Sequence, residues 1–598
     1  MFGFVIIPKD ESLCARLERV IESFKTLSLD AKYNAAEKII IIYKTNYPNN
    51  YRYISDSGRI LVACGTLMLG ARRGQRAVEL VGQRLDAGEA LHQIYDDLRG
   101  PFSLLVINPA SGGLSLVTDR DGLMCCYETT QAQVPMTSSS LLLLAAMTGA
   151  AADPLGVQEF VHGGACVNDR TLFSGIWRLP SASLFEFSAA QSSRLKLWRA
   201  TVHSPYLPDS DKDILDRMQV LFSTALHTEL NDVRKAFVAD LTAGTDSRTV
   251  LSFLLQSGQP LVASTAGVAG HVDVERAREI SKIAGIEHLW YQVENTLEFD
   301  QKLLDECVEY SDGAISPFGL VKQIPYFQQK SERFDILFGG NGGPLFKDHY
   351  WLFEFNNIDR PRAPNWDRIA RYSLTEGRVN NNLFSNGVDY IEHMKELFAS
   401  NSKIIFGANN QRLDFMYFDF KIKAFAAGQF SFSNKFMDVY HPMCDGKIVE
   451  YSMSIRPWIR KRARLQSELI YRNNKKIAWP LTDNYVPCVP DTGMHFYLRG
   501  LRIVRYVRAL RRKLSDFVLN KKQVAKDSRA LTFVASLKKS DLAMAYQYPE
   551  HLSLAAILNI DEVKRLCIAA GNGEHSGYLQ RLFAVEAILQ KVQATKRV

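Results

Sequence analysis

Residues 238 to 248 read Val238-Ala239-Asp240-Leu241-Thr242-Ala243-Gly244-Thr245-Asp246-Ser247-Arg248, and this stretch decides the fold. An apolar strand (Phe237, Val238, Ala239) ends in small residues, Asp246 and Ser247 follow, and an apolar helix is expected from Thr249. Small residues at Thr242, Ala243 and Gly244 let backbone N–H groups face outward at a helix N-terminus. There the orphan amides and the helix dipole both favour a phosphate. Asp246 beside such phosphates suits a Mg2+ ligand, because magnesium on nucleotides takes one or two carboxylates plus phosphate oxygens. The stretch is not a Walker A loop, which needs Gly-Lys-Ser/Thr at its end. An ordinary strand-to-helix turn could share this composition, so the rest of the chain has to decide.

Working outward, apolar strands are expected at 236–241, 260–265, 288–293 and 335–339, alternating with helices from about 213 to 350. That is the pattern of a doubly wound α/β domain, whose ligand lies beyond the carboxyl ends of the strands. The last of these strands runs into Gly339-Gly340-Asn341-Gly342-Gly343-Pro344, whose glycines permit close backbone approach to a ligand. Further on, His441-Pro442-Met443-Cys444-Asp445-Gly446-Lys447 closes another hydrophobic strand, and a basic cluster follows (Arg460, Lys461, Arg462, Arg464). Upstream, residues 1 to about 195 alternate short strands (Ile60 to Ala63, Phe102 to Ile107, Leu114 to Val117, Leu184 to Phe187) with turns and two helical patterns, 14–26 and 76–97. Such alternation predicts a layered α+β sheet domain. Domains are therefore expected at 1–200 and 213–490, joined by a linker near 201–212, with a helical basic extension over 491–598.

Composition narrows the class. The 598 residues are 46% hydrophobic and 23% charged, ordinary for a soluble globular protein. No apolar run approaches the length of a membrane span, about 18 residues. Met1-Phe2-Gly3-Phe4-Val5-Ile6-Ile7 lacks a basic leader and reads as a first strand, not a signal peptide. Nine cysteines without Cys-x-x-Cys spacing argue for a reducing, cytoplasmic setting, and the twelve histidines show no ligand spacing. The net charge of +8 is concentrated between Arg499 and Lys526. That stretch reads as a solvated helical face or a contact for an acidic partner; no zinc-finger or RNA-recognition signature accompanies it, so nucleic acid is not expected.

In this order the blocks resemble the asparagine synthetase and β-lactam synthetase superfamily, whose synthetase domain is shared by lasso-peptide macrolactam cyclases. Thr242 to Ser247 resembles the Ser-Gly-Gly-x-Asp-Ser pyrophosphatase loop, with Thr242 and Ala243 for Ser and the first Gly. Thr265-Ala266-Gly267 resembles the adenine-side strand, Asp273 to His288 the Asp-x-x-x-Ala-Arg to Leu-Gly-x-x-His helix, Gly340 to Gly343 the Gly-Asp/Glu-Gly-Gly loop, and Pro442 to Asp445 the Pro-Phe-Leu-Asp block. In the first half, Leu98-Arg99-Gly100, Asp119-Arg120-Asp121-Gly122, Tyr127, Thr171 to Gly175 and Arg178-Leu179-Pro180 resemble a class II glutamine amidotransferase.

The resemblance implies an Ntn-type layered domain followed by an adenine-nucleotide α-hydrolase-like domain. It also implies ATP and Mg2+ as cofactors, adenylation of a carboxylate with release of pyrophosphate, and capture of the acyl-adenylate by an amine with release of AMP. The implied ATP contacts are Leu241, Thr242, Gly244, Thr245, Ser247, Arg248, Thr265, Ala266, Gly339, Gly340 and Gly342, with Asp246 on the metal and Asn341 near the amine. Three departures qualify this. Phe2 stands where such glutaminases carry their nucleophilic Cys, and Cys14, in a helical pattern, reads as packing, so glutamine hydrolysis is not expected. Pro344 and Leu345 stand where an acidic metal ligand is usual, leaving Asp348 or Asp335 as possible helpers. Arg462, with Lys461 beside it, stands where a catalytic Lys is usual, so its role would be charge stabilisation. Asn341 cannot act as a base, so a neighbouring acid, water or the substrate would take the amine's proton.

Losing the glutaminase points toward an intramolecular amide, a lactam or a macrolactam on a peptide precursor, with a partner enzyme possible. Amidation of a small carboxylic acid or sugar uronic acid by ammonia, and a catalytically degenerate nucleotide-binding scaffold, are the alternatives.

Overall fold

The computed structural model describes residues 1–596 apart from 491–527 and short stretches at 48, 130–134, 188–192, 199–201, 204–205, 232–233, 295, 350, 352–353, 355–356, 374–378, 403–406 and 575–576. The basic run from Arg499 to Lys526 lies outside the described residues.

The first half is a four-layer sandwich. Strand Phe2–Pro8 pairs antiparallel with Lys38–Thr45 in one six-stranded sheet, and Phe102–Asn108 pairs with Gly113–Thr118 and Ile60–Gly65 in a second. The run Ile39-Ile40-Ile41-Ile42 shows why the layers form. Ile40 and Ile42 join Phe2, Phe4, Val62, Leu105 and Ile107 between the sheets. Ile39 and Ile41 face Leu17, Val20 and Ile21 of helix Glu11–Glu22 on the outside. A strand covered on both faces needs such an unbroken apolar run. On the far side, Ala77, Val78 and Val81 of helix Gln75–Asp86 cover Leu61, Ala63 and Leu104.

The second half is built on a five-stranded parallel sheet ordered Glu287–Gln292, Leu261–Gly267, Ala236–Asp240, Phe334–Phe338, Asp438–Tyr440. From the central strand the chain winds outward to 261 and 287, then returns to the other side at 334 and 438. The order therefore reverses between Ala236–Asp240 and Phe334–Phe338, which opens a crevice at their carboxyl ends. Phe237, Ala239, Ile336 and Phe338 bury one face of the sheet, and Val238, Leu337 and Val439 the other.

One boundary differs from the expected one: the helix after the central strand begins at Thr245, not Thr249. Gly244 is its N-cap and Asp246 lies in its first turn, where the dipole favours an acid. Of the helices after residue 527, Gly577–Lys596 packs back onto the first half, and Ser528–Lys538 packs Phe533 against Phe299 and Phe318 of the second. Helix Leu141–Thr148, apolar all round, is buried beneath Leu582, Val585 and Ile588 of helix Gly577–Lys596. No helix among the described residues is long and apolar enough to cross a membrane.

Several motif blocks meet between the halves. Asp119 accepts N–H bonds from Asp121, Leu123 and Met124 and so shapes its loop, and Asp121 in turn accepts the Gly446 N–H at 3.1 Å. Arg178 donates to the carbonyls of Gly122 and Lys423, tying that loop to the second half.

Candidate functional site

The crevice is walled by two loops, Leu241–Gly244 after the central strand and Gly339–Gly343 after its neighbour. They touch because the second carries almost no side chains. A Cβ on Gly340 would lie 2.6 Å from the Ser247 backbone N, and one on Gly343 would lie 2.0 Å from Asp246 Cγ. Gly342 also needs a left-handed backbone, at φ +93°.

Within the first loop the side chains cap the backbone. Ser247 Oγ accepts the Thr242 N–H at 3.1 Å, Thr242 Oγ1 accepts the Gly244 N–H at 3.2 Å, and Asp273 accepts the Ala243 N–H at 2.9 Å. Gly244 has no side chain to cap the ten-residue helix Thr245–Leu254, so the first-turn amides are left for an anion.

Asp246 holds the centre. Lys347 Nζ lies 2.8 Å from each of its carboxylate oxygens, Gln466 Nε2 donates to Oδ1 at 2.8 Å, and Thr245 Oγ1 lies 3.2 Å from the same oxygen. Gln466 sits in the first turn of helix Arg464–Asn473, so this carboxylate is reached by a side chain from the start of a second helix. Neither Lys347 nor Gln466 is singled out by the sequence motifs. Lys347 lies beyond the glycine loop, at the end of a short turn (Gly343–Phe346) whose Leu345 carbonyl is held by the buried Arg460 at 2.6 Å and by Ser452 at 2.8 Å.

On the other face of the sheet, at the same edge, Asp240 Oδ1 accepts from Ser264 at 2.9 Å, Tyr326 at 2.7 Å and Lys330 at 2.6 Å. The Lys330 side chain is fully buried, its ammonium 3.9 Å from the centre of the Tyr326 ring, whereas Asp240 keeps 37% of its side chain exposed. Burial would raise the Asp240 carboxyl, but Lys330, Tyr326 and Ser264 hold it below the usual carboxylate range. Asn341 Nδ2 lies 3.5 Å from both ring nitrogens of His441, which stacks on Phe430 at 4.4 Å. Burial pushes the His441 pKa down to about 4, so its imidazole is neutral.

The remaining sequence candidates fall in varied places. Thr265 is buried and gives its hydroxyl to the Leu241 carbonyl at 2.6 Å, fixing the loop's start; Ala266 beside it is exposed. Leu241 buries its side chain in the core, leaving only backbone to the crevice. Arg248 departs from its expected place at the nucleotide. It faces inward from the helix, fully buried, and donates to the carbonyls of Pro480 at 2.6 Å and Ala243 at 3.2 Å. Asp335 also departs: it lies at the amino end of its strand, paired with Arg73 and accepting the Asn231 N–H at 2.7 Å. Asp348 makes no hydrogen bond to the Asp246 cluster among the described residues. Lys461 lies over the exposed Trp458 ring at 5.1 Å, and Arg462 is exposed in a left-handed turn (φ 58°, ψ 32°) just before the helix that carries Gln466.

In the first half, the Phe2 ring is packed between the sheets, and burial raises the Cys14 thiol above its usual range.

No protein-family model matches the chain, and no curated protein does. Among solved structures, it is similar to an allosteric regulatory enzyme of purine biosynthesis, at 9% identity over 50% of this chain and 82% of that one, with a TM-score of 0.23. Glutamine phosphoribosylpyrophosphate amidotransferase from B. subtilis, complexed with ADP and GMP, shows 10% identity over 49% and 90%, with a TM-score of 0.23. The U34-tRNA thiolase from Methanococcus maripaludis, with its [4Fe-4S] cluster, shows 12% identity over 35% and 77%, with a TM-score of 0.18. Likenesses this distant carry no chemistry to this chain; its chemistry rests on the geometry above.

Proposed function

We propose that the crevice binds the triphosphate of ATP and that the protein is an ATP-dependent, AMP-forming amide ligase that works without glutamine hydrolysis. The observation that carries this reading is the convergence on one carboxylate, at the sheet's switch point, of an uncapped helix N-terminus, a glycine-rich loop and the Lys347 ammonium. Such a setting orients phosphates and offsets their charge, which is most of what a protein supplies in attack on a phosphorus centre. Thr242, Gly244, Thr245 and Ser247 would cradle pyrophosphate, Gly339, Gly340 and Gly342 would line the reacting phosphate, and Ala266 would lie toward the base. Lys461 and Arg462 would add positive charge from the turn beside Gln466.

The residues around Asp246 do not fit a magnesium site. Its carboxylate already accepts from Lys347, Gln466 and Thr245, so an ammonium stands where a metal ion would have to bind. No step is therefore routed through a protein-held metal.

The substrates we favour are a carboxylate and an amine on one molecule, closing a lactam or peptide macrolactam, since no nucleophilic Cys stands at residue 2 to release ammonia from glutamine. A binding-only scaffold is favoured by one observation: Asp273 occupies the Ala243 amide that a phosphate would use. Carboxylate-dependent ATP–pyrophosphate exchange, run with pools of acids and peptides, separates the two. Exchange that disappears in Asp246→Ala supports the ligase, and ATP binding without exchange for any acid supports the scaffold.

A further inference from the structure

We infer that Lys347 is the built-in cation of this site, standing on Asp246 where a divalent ion would stand in a two-acid site. The inference rests on the nucleotide-binding reading above. Three observations carry it. First, the contact is two-pronged: Lys347 Nζ is 2.8 Å from both oxygens of Asp246, and only 24% and 26% of the two side chains are exposed. Second, the arrangement is built in. Gly343 lacks a Cβ where one would strike the carboxylate, and Arg460 and Ser452 clamp the turn that delivers Lys347. Third, the charges balance. A divalent cation on two carboxylates sums to zero, and so does one ammonium on one carboxylate. Pro344 and Leu345 bring no second acid to the loop, so the lysine replaces the acid and the metal together.

An ammonium has three N–H donors, and the two oxygens of Asp246 leave one for a phosphate oxygen. Asp246 is then a positioning residue, since it reaches the nucleotide only through Lys347. Its neutral variant should act as a loss of lysine placement, not as a loss of metal.

The test uses the full chain in two arms. In the first, Mn2+ is titrated into nucleotide-free protein and followed by electron paramagnetic resonance. Wild type should hold no stoichiometric Mn2+; a site that fills and is lost in Asp246→Asn overturns the inference. In the second, ATP and inorganic pyrophosphate binding are measured calorimetrically in EDTA and in Mg2+. Metal-free ATP should bind wild type within about threefold of MgATP. Lys347→Met should weaken metal-free binding about tenfold, or about 1.4 kcal/mol, and Lys347→Arg should recover part of it. Circular dichroism confirms that each variant folds. Metal-free binding unchanged in Lys347→Met, or binding only with Mg2+, overturns the inference. If no nucleotide binds under any condition, the ligase reading falls instead, while the Mn2+ arm still decides the occupant of Asp246.

Discussion

The two ends of the parallel sheet are built to opposite rules, although the same strands supply both. Strand Phe334–Phe338 carries Asp335 at its amino end and runs into Gly339 at the other; strand Asp438–Tyr440 begins with an acid and runs into His441. At the amino end, the fully buried Arg73 from the first half pairs with Asp335 and with Asp438, the latter at 2.7 Å, and Tyr51 donates to Asp438 at 3.0 Å. The three charges of Arg73, Asp335 and Asp438 are paired with one another, and a cavity of about 480 Å³ lined by Tyr51, Asn231, Lys235, Asp335 and Asp438 lies beside them. At the carboxyl end, side chains are replaced by glycines, helix amides are uncapped, and the carboxylates of two close ion pairs, Lys347 with Asp246 and Lys330 with Asp240, stay a quarter to just over a third exposed. One end holds the halves together through paired charges, and the other brings glycine backbone and a helix N-terminus together.

The hardest way to break this contrast is to remove the guanidinium. Arg73→Met leaves two buried carboxylates without a counter-charge, and breaking a buried pair in this way costs about 3–5 kcal/mol. Urea unfolding should show that loss, while ATP affinity of the folded fraction stays at the wild-type value. An affinity that falls with stability would mean that the two ends are not separable.

Two buried imidazoles sharpen the comparison. Burial pushes the pKa of each down to about 4, His441 at the carboxyl end and His162 against Phe384, Tyr390 and Tyr578 in the first half. Neither ring nitrogen of His162 has a hydrogen-bond partner among the described residues. Between its folded pKa of about 4 and the unfolded value of 6.5 the unfolded chain binds the extra proton, so stability is present above pH 6.5 and is lost as pH falls toward 4. At pH 5 the loss amounts to about 2 kcal/mol per histidine. His162→Phe should therefore lose about 2 kcal/mol less than wild type between pH 7 and pH 5. Chemical denaturation at the two pH values checks it, and equal losses would contradict the buried neutral ring.

Filling the glycine gap tests the open end directly. Gly343→Ala puts a Cβ on the Asp246 carboxylate, and overpacking of this kind costs about 1–3 kcal/mol. Displacing Asp246 should also weaken ATP binding by more than the Arg73→Met change does, although Arg73→Met is the more destabilising. Calorimetry on both variants reads the crossing of the two orders.

Much of this was legible in the sequence, for reasons that are local. The apolar runs at 236–239 and 336–338 announce strands covered on both faces. Small residues before Asp246 announce the tight turn into helix Thr245–Leu254. What was not legible depends on distant partners. Lys347 and Gln466 meet Asp246 across 101 and 220 residues, and neither belongs to a local pattern. Arg248 is a nucleotide contact only as the resemblance implies it; the helix begins four residues earlier than its apolar pattern suggests, and that position faces inward. Asp335 reads as a possible metal ligand because sequence shows that an acid is on a strand without showing which end the ligand uses.

The smallest effect concerns the turn that leads into Gln466. Arg462 and Ala463 are both left-handed, at φ 58° and 57°, a conformation that costs a non-glycine residue about 1–2 kcal/mol. Two such residues in succession store strain where the chain lifts Lys461 and Arg462 beside the open end and starts helix Arg464–Asn473. Strain of this sort persists when the surroundings over-determine it, and it clusters at ligand clamps. Ala463→Gly relieves it locally, so it should raise stability by about 1 kcal/mol in denaturant titrations. The same change frees the backbone that aims Gln466 at Asp246 and holds the cations in place, so ATP should bind a few-fold more weakly. Gain of stability with loss of affinity would identify the turn as part of the open end's machinery. Gain of stability with affinity unchanged would make it a connector, and Lys461 and Arg462 would then drop out of the site.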